Sequence, residues 1–451
     1  MPNEQVGTPT VKVEAGNIDW DNPKLWSLTR KWIITGTTSL MAFSSTFASS
    51  VFSTAAKQTA AEFNVSQEVM TLGLSLFVLG YCFGPLLWGP LSEFHGRKLP
   101  LMLGAFAFCI FQVPVAVAKN APTVLVCRFV GGIFASSSLS ITPAILTDIW
   151  NPVERGIAAC IYSTATFAGP VMGPIIGGFL AESYLGWRWT AWITLIEGAT
   201  CAAFGLVLVP ETYASVLLRR RSRALRGITD ESVHGRNPRE DAQTREAQIG
   251  LREFVTKFLT RPPSYPISFQ EQRGWSPGVG ALPFLSITVG VVCGNLTIGT
   301  ITIRRFKQKY LAGGNKIVPE ERLIPMMIGA VILPVGLFWF AWTSNPHITW
   351  VPQVIAGVPI GMGIQLVYTM GYNYILDVYT PYAASAVSAN TFVRCIAGAG
   401  FPLFAAPMYH KLGVGWATSL LGFLSVVLMP MPFLFFKYGE RVRKIGRFTA
   451  P

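Results

Sequence analysis

A chain of 451 residues that is 51% apolar and only 13% charged lies outside the soluble range and is read as a polytopic membrane protein. Its net charge of +13 would suit a nucleic-acid binder, but the positive residues sit between apolar runs, where they orient spans. No G-x-x-x-x-G-K-[ST] loop is present and the serine-rich strings lack a partnered histidine, which disfavours ATP-driven pumping and hydrolysis.

Crossing the hydrocarbon core takes about 20 mostly apolar residues. Eleven such runs follow in chain order: 32–53, 69–90, 99–118, 122–146, 156–181, 187–209, 279–303, 323–343, 349–375, 383–409 and 412–436. Backbone groups in lipid must be satisfied internally, and the alternation a closed barrel needs is missing, so the fold is expected to be all-α. Arg97 and Lys98 follow the second run, Arg155 the fourth, and eleven basic residues from Arg219 to Arg261 the sixth. The intervening loops carry only Lys57, Lys119 and Arg188, which places the N-terminus in the cytoplasm. The N-terminal stretch has no apolar h-region and does not resemble a cleaved signal peptide.

These runs divide the chain into a cytoplasmic tail (1–31), a six-helix half (32–210), a charged cytoplasmic linker (211–262), a second half (263–436) and a cytoplasmic tail (437–451). At an offset of 229 the halves resemble each other: Asp148 matches Asp377, Pro152 matches Pro381, Ala168 and Gly169 match Ala397 and Gly398, and Gly186 and Trp187 match Gly415 and Trp416. Internal symmetry of this kind marks a secondary transporter built from repeats about an axis along the membrane normal. All seven cysteines (Cys82, Cys109, Cys127, Cys160, Cys201, Cys293, Cys395) fall inside apolar runs and are expected to be free thiols. The four histidines (His95, His234, His347, His410) lie in loops or at run ends and offer no metal cluster.

After the second run stands GPLSEFHGRK, residues 89–98. It resembles the loop motif of the major facilitator superfamily, G-x-L-[SA]-[DE]-x-x-G-R-[KR]. Gly89 and Gly96 would allow a tight turn and close helix approach, and Glu93 could pair with basic side chains or a helix N-terminus. The resemblance implies that Gly89, Glu93, Gly96, Arg97 and Lys98, with Asp148, latch the cytoplasmic side in one state. Arg128, in VCRFVGG, resembles the R-x-x-x-G pattern implicated in proton coupling; the alternative is a structural arginine that snorkels to the interface. In AGPVMGPIIGG, residues Gly169, Gly173, Pro174, Gly177 and Gly178 match the antiporter motif G-x-x-x-G-P-x-x-G-G, whose small residues let another helix approach. Glu197 is an intramembrane carboxylate, either a proton carrier or a structural hydrogen-bonding group. In the second half Gln365, Tyr368, Tyr372, Asn373, Asn390 and Arg394 could line a substrate pocket, although tyrosines near a span end also serve as interface anchors.

Over nearly the whole chain the sequence resembles the fungal twelve-span drug:proton antiporter branch of that superfamily. The resemblance implies two pseudo-symmetric helical halves working by alternating access as a monomer. It also implies an exporter of small lipophilic or cationic compounds, of multidrug efflux type, driven by protons with no cofactor. The membrane is expected to be the plasma membrane, with the vacuolar membrane as alternative. A proton symporter for polyamine or another nutrient shares the fold and the loop motif. One feature departs from the branch. TRP at 260–262 should end the central linker and YPISFQEQRGW should open an outer loop after a seventh span, yet here they are joined directly. Residues 260–278 are too short, polar and proline-rich to cross about 30 Å of hydrocarbon. The eleven runs are therefore read as 6 + 5, with the seventh span missing and transport expected to be poor or absent.

Overall fold

The computed structural model describes residues 22–217, 265–312, 318–379 and 383–445. Most of the expected linker (211–262), most of the N-terminal tail, His234 and the last six residues lie outside the described residues.

The first half is six helices: α1 (Leu28–Phe63), α2 (Gln67–His95), α3 (Lys98–Ala116), α4 (Ala121–Ile149), α5 (Pro152–Glu182) and α6 (Arg188–Leu208). Short polar residues set the starts. Ser27, Ser66 and Asn120 accept the backbone N–H of Arg30, Val69 and Thr123, supplying the first turn with an acceptor. Left-handed residues set the stops: Asn64 ends α1, and Gly96 (φ 89°) and Gly186 (φ 69°) turn the chain after α2 and α5.

In the second half, α7 (Val279–Ala312) opens on a 3-10 turn and passes through a π-turn at Thr302–Phe306. Then come α8 (Leu323–Trp342), α9 (Trp350–Val378), α10 (Ala383–Leu428) and α11 (Pro430–Ile445). Gly413 (φ 73°) breaks α10 into two limbs. The repeat aligns Gly415 with Gly186, so the left-handed glycine lies two residues earlier in the second half.

Among the described residues nine helices are long and apolar enough to cross a membrane, against the eleven apolar runs of the sequence. α1 and the first limb of α10, up to residue 406, are outside that set; the serine and threonine runs of α1 (TTS, SSTFASS) dilute its hydropathy although it packs at the heart of the first half. α11 continues to Ile445, so the stretch expected as a tail from residue 437 is helical to that point. None of the seven cysteines, all of them among the described residues, is in a disulfide.

One end of the bundle carries Arg97, Asp148, Arg155, Arg322 and Asp377, and the chain leaves α6 there, with Tyr213 beneath the Arg97 guanidinium at 4.5 Å. The opposite end carries Glu62 paired with Arg188, and Glu182 at the close of α5. Tyr265 to Gly278 lies at this second end. Tyr265 is buried against Phe284 (4.5 Å) and Phe340 (4.9 Å), Arg273 donates to the carbonyls of Asn345 and Ile348, and the Gly278 N–H donates to Glu182 at 2.8 Å. The chain is therefore at one end of the bundle at residue 217 and at the other by residue 265.

Candidate functional site: a two-ended transport pathway

The end with the basic residues is a clamp built from both halves. Arg97 pairs with Asp148 at 3.1 Å and donates to Ser92 Oγ at 2.9 Å. Glu211, just past α6, accepts the backbone N–H groups of Arg97 (2.8 Å) and Lys98 (3.2 Å), giving the start of α3 the carboxylate its free N–H groups favour. Gly96 is required twice over: its φ is left-handed, and a Cβ would fall 2.3 Å from Glu211 Oε2. The tight turn is confined to Gly96–Arg97. α2 runs helically through Gly89 and Glu93 to His95, so the turn expected at Gly89 is not formed, and the Lys98 ammonium reaches back to Leu206 O at 2.9 Å.

The second half repeats the pairing and then exceeds it. Asp377, the repeat partner of Asp148, takes Arg322 Nε at 3.0 Å, as Asp148 takes Arg97. Asp377 also takes Arg155 from α5, so one carboxylate holds two guanidiniums from opposite halves. Arg322 adds a bond to Pro152 O and lies 3.8 Å over the Phe306 ring. All three side chains are buried. Nearby, Glu321 takes Arg305 and Lys309.

Midway along the bundle α5 meets α7 and α9 through a polar seam. Gln365 donates to Ser163 Oγ (2.6 Å) and to Asn295, Asn295 donates to Thr164, and Thr369 donates to Ser163 at 2.9 Å. Rings line the same seam: Tyr162 faces Tyr372 (6.3 Å), Phe167 meets Tyr368 edge-on (5.0 Å), and Tyr368 stacks on Tyr372 (5.6 Å). Arg394 of α10 lies 5.2 Å over Tyr368. The structure thus brings Gln365, Tyr368, Tyr372 and Arg394 together at one seam. It corrects the interface-anchor alternative, because Tyr368 and Tyr372 are buried between halves. Asn390 is buried on α10 one turn before Arg394, while the Asn373 amide bonds within α9 to Thr369 O and its Oδ1 has no partner.

Arg128 and Glu197, paired in the sequence reading as coupling residues, occupy different places. Arg128 is buried between three helices, donating to Gly73 O of α2 (2.9 Å) and Ala48 O of α1 (3.3 Å) over the rings of Phe52 and Phe77. Burial there rules out snorkelling. Glu197 accepts from Cys201 Sγ at 3.3 Å, beside a small pocket lined by Ser44, Phe108, Ser138 and Gly198 within the first half. The antiporter-motif glycines form a close seam. A Cβ on Gly169, Gly173 or Gly177 would lie 2.1–2.5 Å from Thr46, Ser50 or Val51 of α1, and one on Gly178 2.9 Å from Pro277 O. Pro174 lies inside the unbroken α5.

Sequence reasoning missed Glu211, Tyr213 and Arg322, and it counted Arg155 only as an orienting charge. The Asp148–Asp377 match was the signal that could have found Arg322. Tyr162, Ser163 and Asn295 carry no motif and emerge only from the fold.

The Major Facilitator Superfamily family model matches residues 38–402. Among similar proteins, the citrinin biosynthesis cluster MFS transporter mrr1 of Monascus ruber is 47% identical over 481 positions, covering 98% of this chain and 94% of its own. The MFS-type transporter traF of Penicillium crustosum is 46% identical over 474 positions, covering 100% and 95%. Since 98% of 451 residues fills about 442 of the 481 positions, about 40 positions of the Monascus ruber alignment meet no residue here. Of solved structures, the proton:xylose symporter XylE superposes with a TM-score of 0.67 at 14% identity, over 92% of this chain and 96% of that one. Human organic anion transporter MFSD10 (TETRAN) gives 0.57 at 16% identity, over 90% and 99%. With the family matched over most of its length and the paired helical halves in place, this chain belongs to the major facilitator superfamily and is a multi-pass membrane transporter rather than an enzyme.

Proposed function

We propose that the chain is a form of a proton-coupled exporter of small lipophilic compounds that lacks the first helix of its second half, and that as written it transports poorly or not at all. One observation carries this. The chain stands at the basic end of the bundle at residue 217 and at the opposite end at residue 265, while residues 218–264 contain no apolar run. A chain that spends about 30 Å of hydrocarbon crossing needs such a run. The repeat supports the same reading. In the first half α1 packs against α5, α6, α2 and α4, and no described helix takes the corresponding place in the second. Along the matching register, Phe167 (9% exposed) and Ile175 (8%) of α5 are buried, whereas Ile396 (49%) and Phe404 (50%) of α10 are open, as is Gly400. About 40 positions of the Monascus ruber alignment and about 23 of the Penicillium crustosum alignment meet no residue here, the length scale of one span.

The basic end faces the cytoplasm, by the distribution of Lys and Arg. There Asp377, holding Arg155 of the first half beside Arg322 of its own, keeps the inner side shut, while the Arg97–Asp148–Glu211 group braces the first half. At the outer side Glu182 and Gly178 hold the 277–278 corner. Rocking of the halves about the α5/α9 seam would break one closure at a time. The glycine seam supports export as the direction, and Arg128 and Glu197 are the candidates for proton coupling. The test is flux in sealed secretory vesicles. Restoring an apolar helix of about 30 residues between Pro263 and Tyr265 is expected to raise proton-driven accumulation well above that of the chain as written. Equal activity of the two forms would reject the missing helix, and no flux from either would reject the transport reading.

A further inference from the structure

Depth separates the charges of the transport pathway by sign. Carboxylates on α1, α2, α4, α5 and α9 (Glu62, Glu68, Glu93, Asp148, Glu154, Glu182, Asp377) all stand in the first or last turn of their helices. α7, α8 and the first limb of α10 contain no Asp or Glu at all. Glu197, the one carboxylate well inside a described span, faces the interior of the first half on α6, away from the α5/α9 seam.

Arg394 is different. It is the twelfth residue of α10, about 17 Å from that helix's start at 1.5 Å per residue. That places it near the middle of the membrane, at the depth of Tyr162, eleventh in α5. A guanidinium keeps its charge in any protein environment. It is buried, lies over Tyr368, and belongs to the ring group that includes Tyr372, Tyr162 and Phe167, drawn from both halves. Beside the rings the amide oxygens of Gln365 and Asn373 have no partner, so the site also offers unused acceptors for a hydroxyl. All of these residues come from α5, α9 and α10, and the site does not depend on the helix whose loss is proposed above.

We infer that this seam is a binding site for aromatic anions: a flat ring system taken between the tyrosines, with a carboxylate or acidic phenolate on Arg394 and hydroxyls on the Gln365 and Asn373 oxygens. Carboxylate on guanidinium is a charge-assisted pair, and a water-excluded site strengthens it. A cationic drug or a polyamine would instead enter a positive site with no carboxylate at its depth. The inference rests on the transport reading only in taking this seam as the substrate path.

The test is equilibrium binding to the purified full chain in lipid nanodiscs, with three radiolabelled probes of one shape: 2-naphthoate, 2-naphthylmethanol and 2-naphthylmethylammonium. Naphthoate is expected to bind at least tenfold more tightly than the ammonium. Arg394→Gln should bring naphthoate down at least tenfold, to the level of the alcohol, and Arg394→Lys should restore most of it, which a merely misfolded variant would not allow. An ammonium that binds as tightly as naphthoate, naphthoate binding unchanged in Arg394→Gln, or no saturable naphthoate binding would each overturn the inference. Because the readout is binding, it is separate from flux: naphthoate bound as expected, with no transport even after the helix is restored, would reject transport and leave the anion site standing.

Discussion

Replacing Asp377 by alanine is expected to destabilise the protein by about 3–5 kcal/mol, the cost of leaving a buried charge without its partner. The effect should be large because one carboxylate serves Arg155 and Arg322 together, and neither guanidinium is open to water. Asp148→Ala is the comparison. Arg97 would keep its bond to Ser92, its place over Tyr213 and the neighbouring Glu211 carboxylate, so the loss should be smaller. The measurement is the fraction of monodisperse protein surviving a heating series in detergent. Asp377→Ala should fail many degrees below Asp148→Ala, and equal curves would show that the α5–α9 cluster does not hold the halves together. A second consequence is conformational: with the cross-half pair gone, Cys160, buried five residues after Arg155 on α5, should become reachable by thiol reagents added from the basic end of the bundle.

Gly173→Leu should have the other large effect. Its Cβ alone would lie 2.1 Å from Ser50 Oγ and 2.8 Å from the Val51 backbone nitrogen, so α1 and α5 would have to part. Overpacking of an ordinary core costs about 1–3 kcal/mol, and here the obstacle is backbone, which cannot rotate away. We expect little folded protein in the membrane, judged by size-exclusion profile after solubilisation. Gly400→Leu, on the matching stretch of α10, supplies the contrast: nothing lies within 4 Å of its Cβ position, and leucine is the better helix former by most of a kcal/mol. It should solubilise like the parent. Parent-like behaviour of Gly173→Leu would mean that the α1/α5 seam is not closely packed.

What could be read from the sequence follows from how local each signal is. Spans announce themselves because a helix in lipid must be apolar along its whole length, and the glycines of α5 stand out because only close approach needs them at that spacing. α1 departs from that rule: in contact with four helices of its half, it can afford serines that bond to its own carbonyls, as Ser45, Ser49 and Ser50 do. The Asp148–Asp377 match was visible as a repeat, but its meaning was not. Arg155 reaches Asp377 across 222 residues of chain, and Glu211 reaches the Arg97 amide across 114, separations that no local pattern encodes. Arg128 could be located but not interpreted, since a buried arginine satisfied by carbonyls of two other helices looks in sequence like one reaching for the interface. Arg394 was found as a polar residue in a span, yet the charge of its surroundings required knowing that every nearby carboxylate sits at a helix end.

The loss of one helix between the halves is tested most directly by sequencing full-length transcripts from the source organism across codons 255–275. Between TRP at 260–262 and YPISF at 265–269, the main transcript is expected to carry an in-frame insertion of about 30 codons encoding an uninterrupted apolar run. A single transcript reading through this junction as written, together with proton-driven efflux by the protein it encodes, would contradict the missing helix.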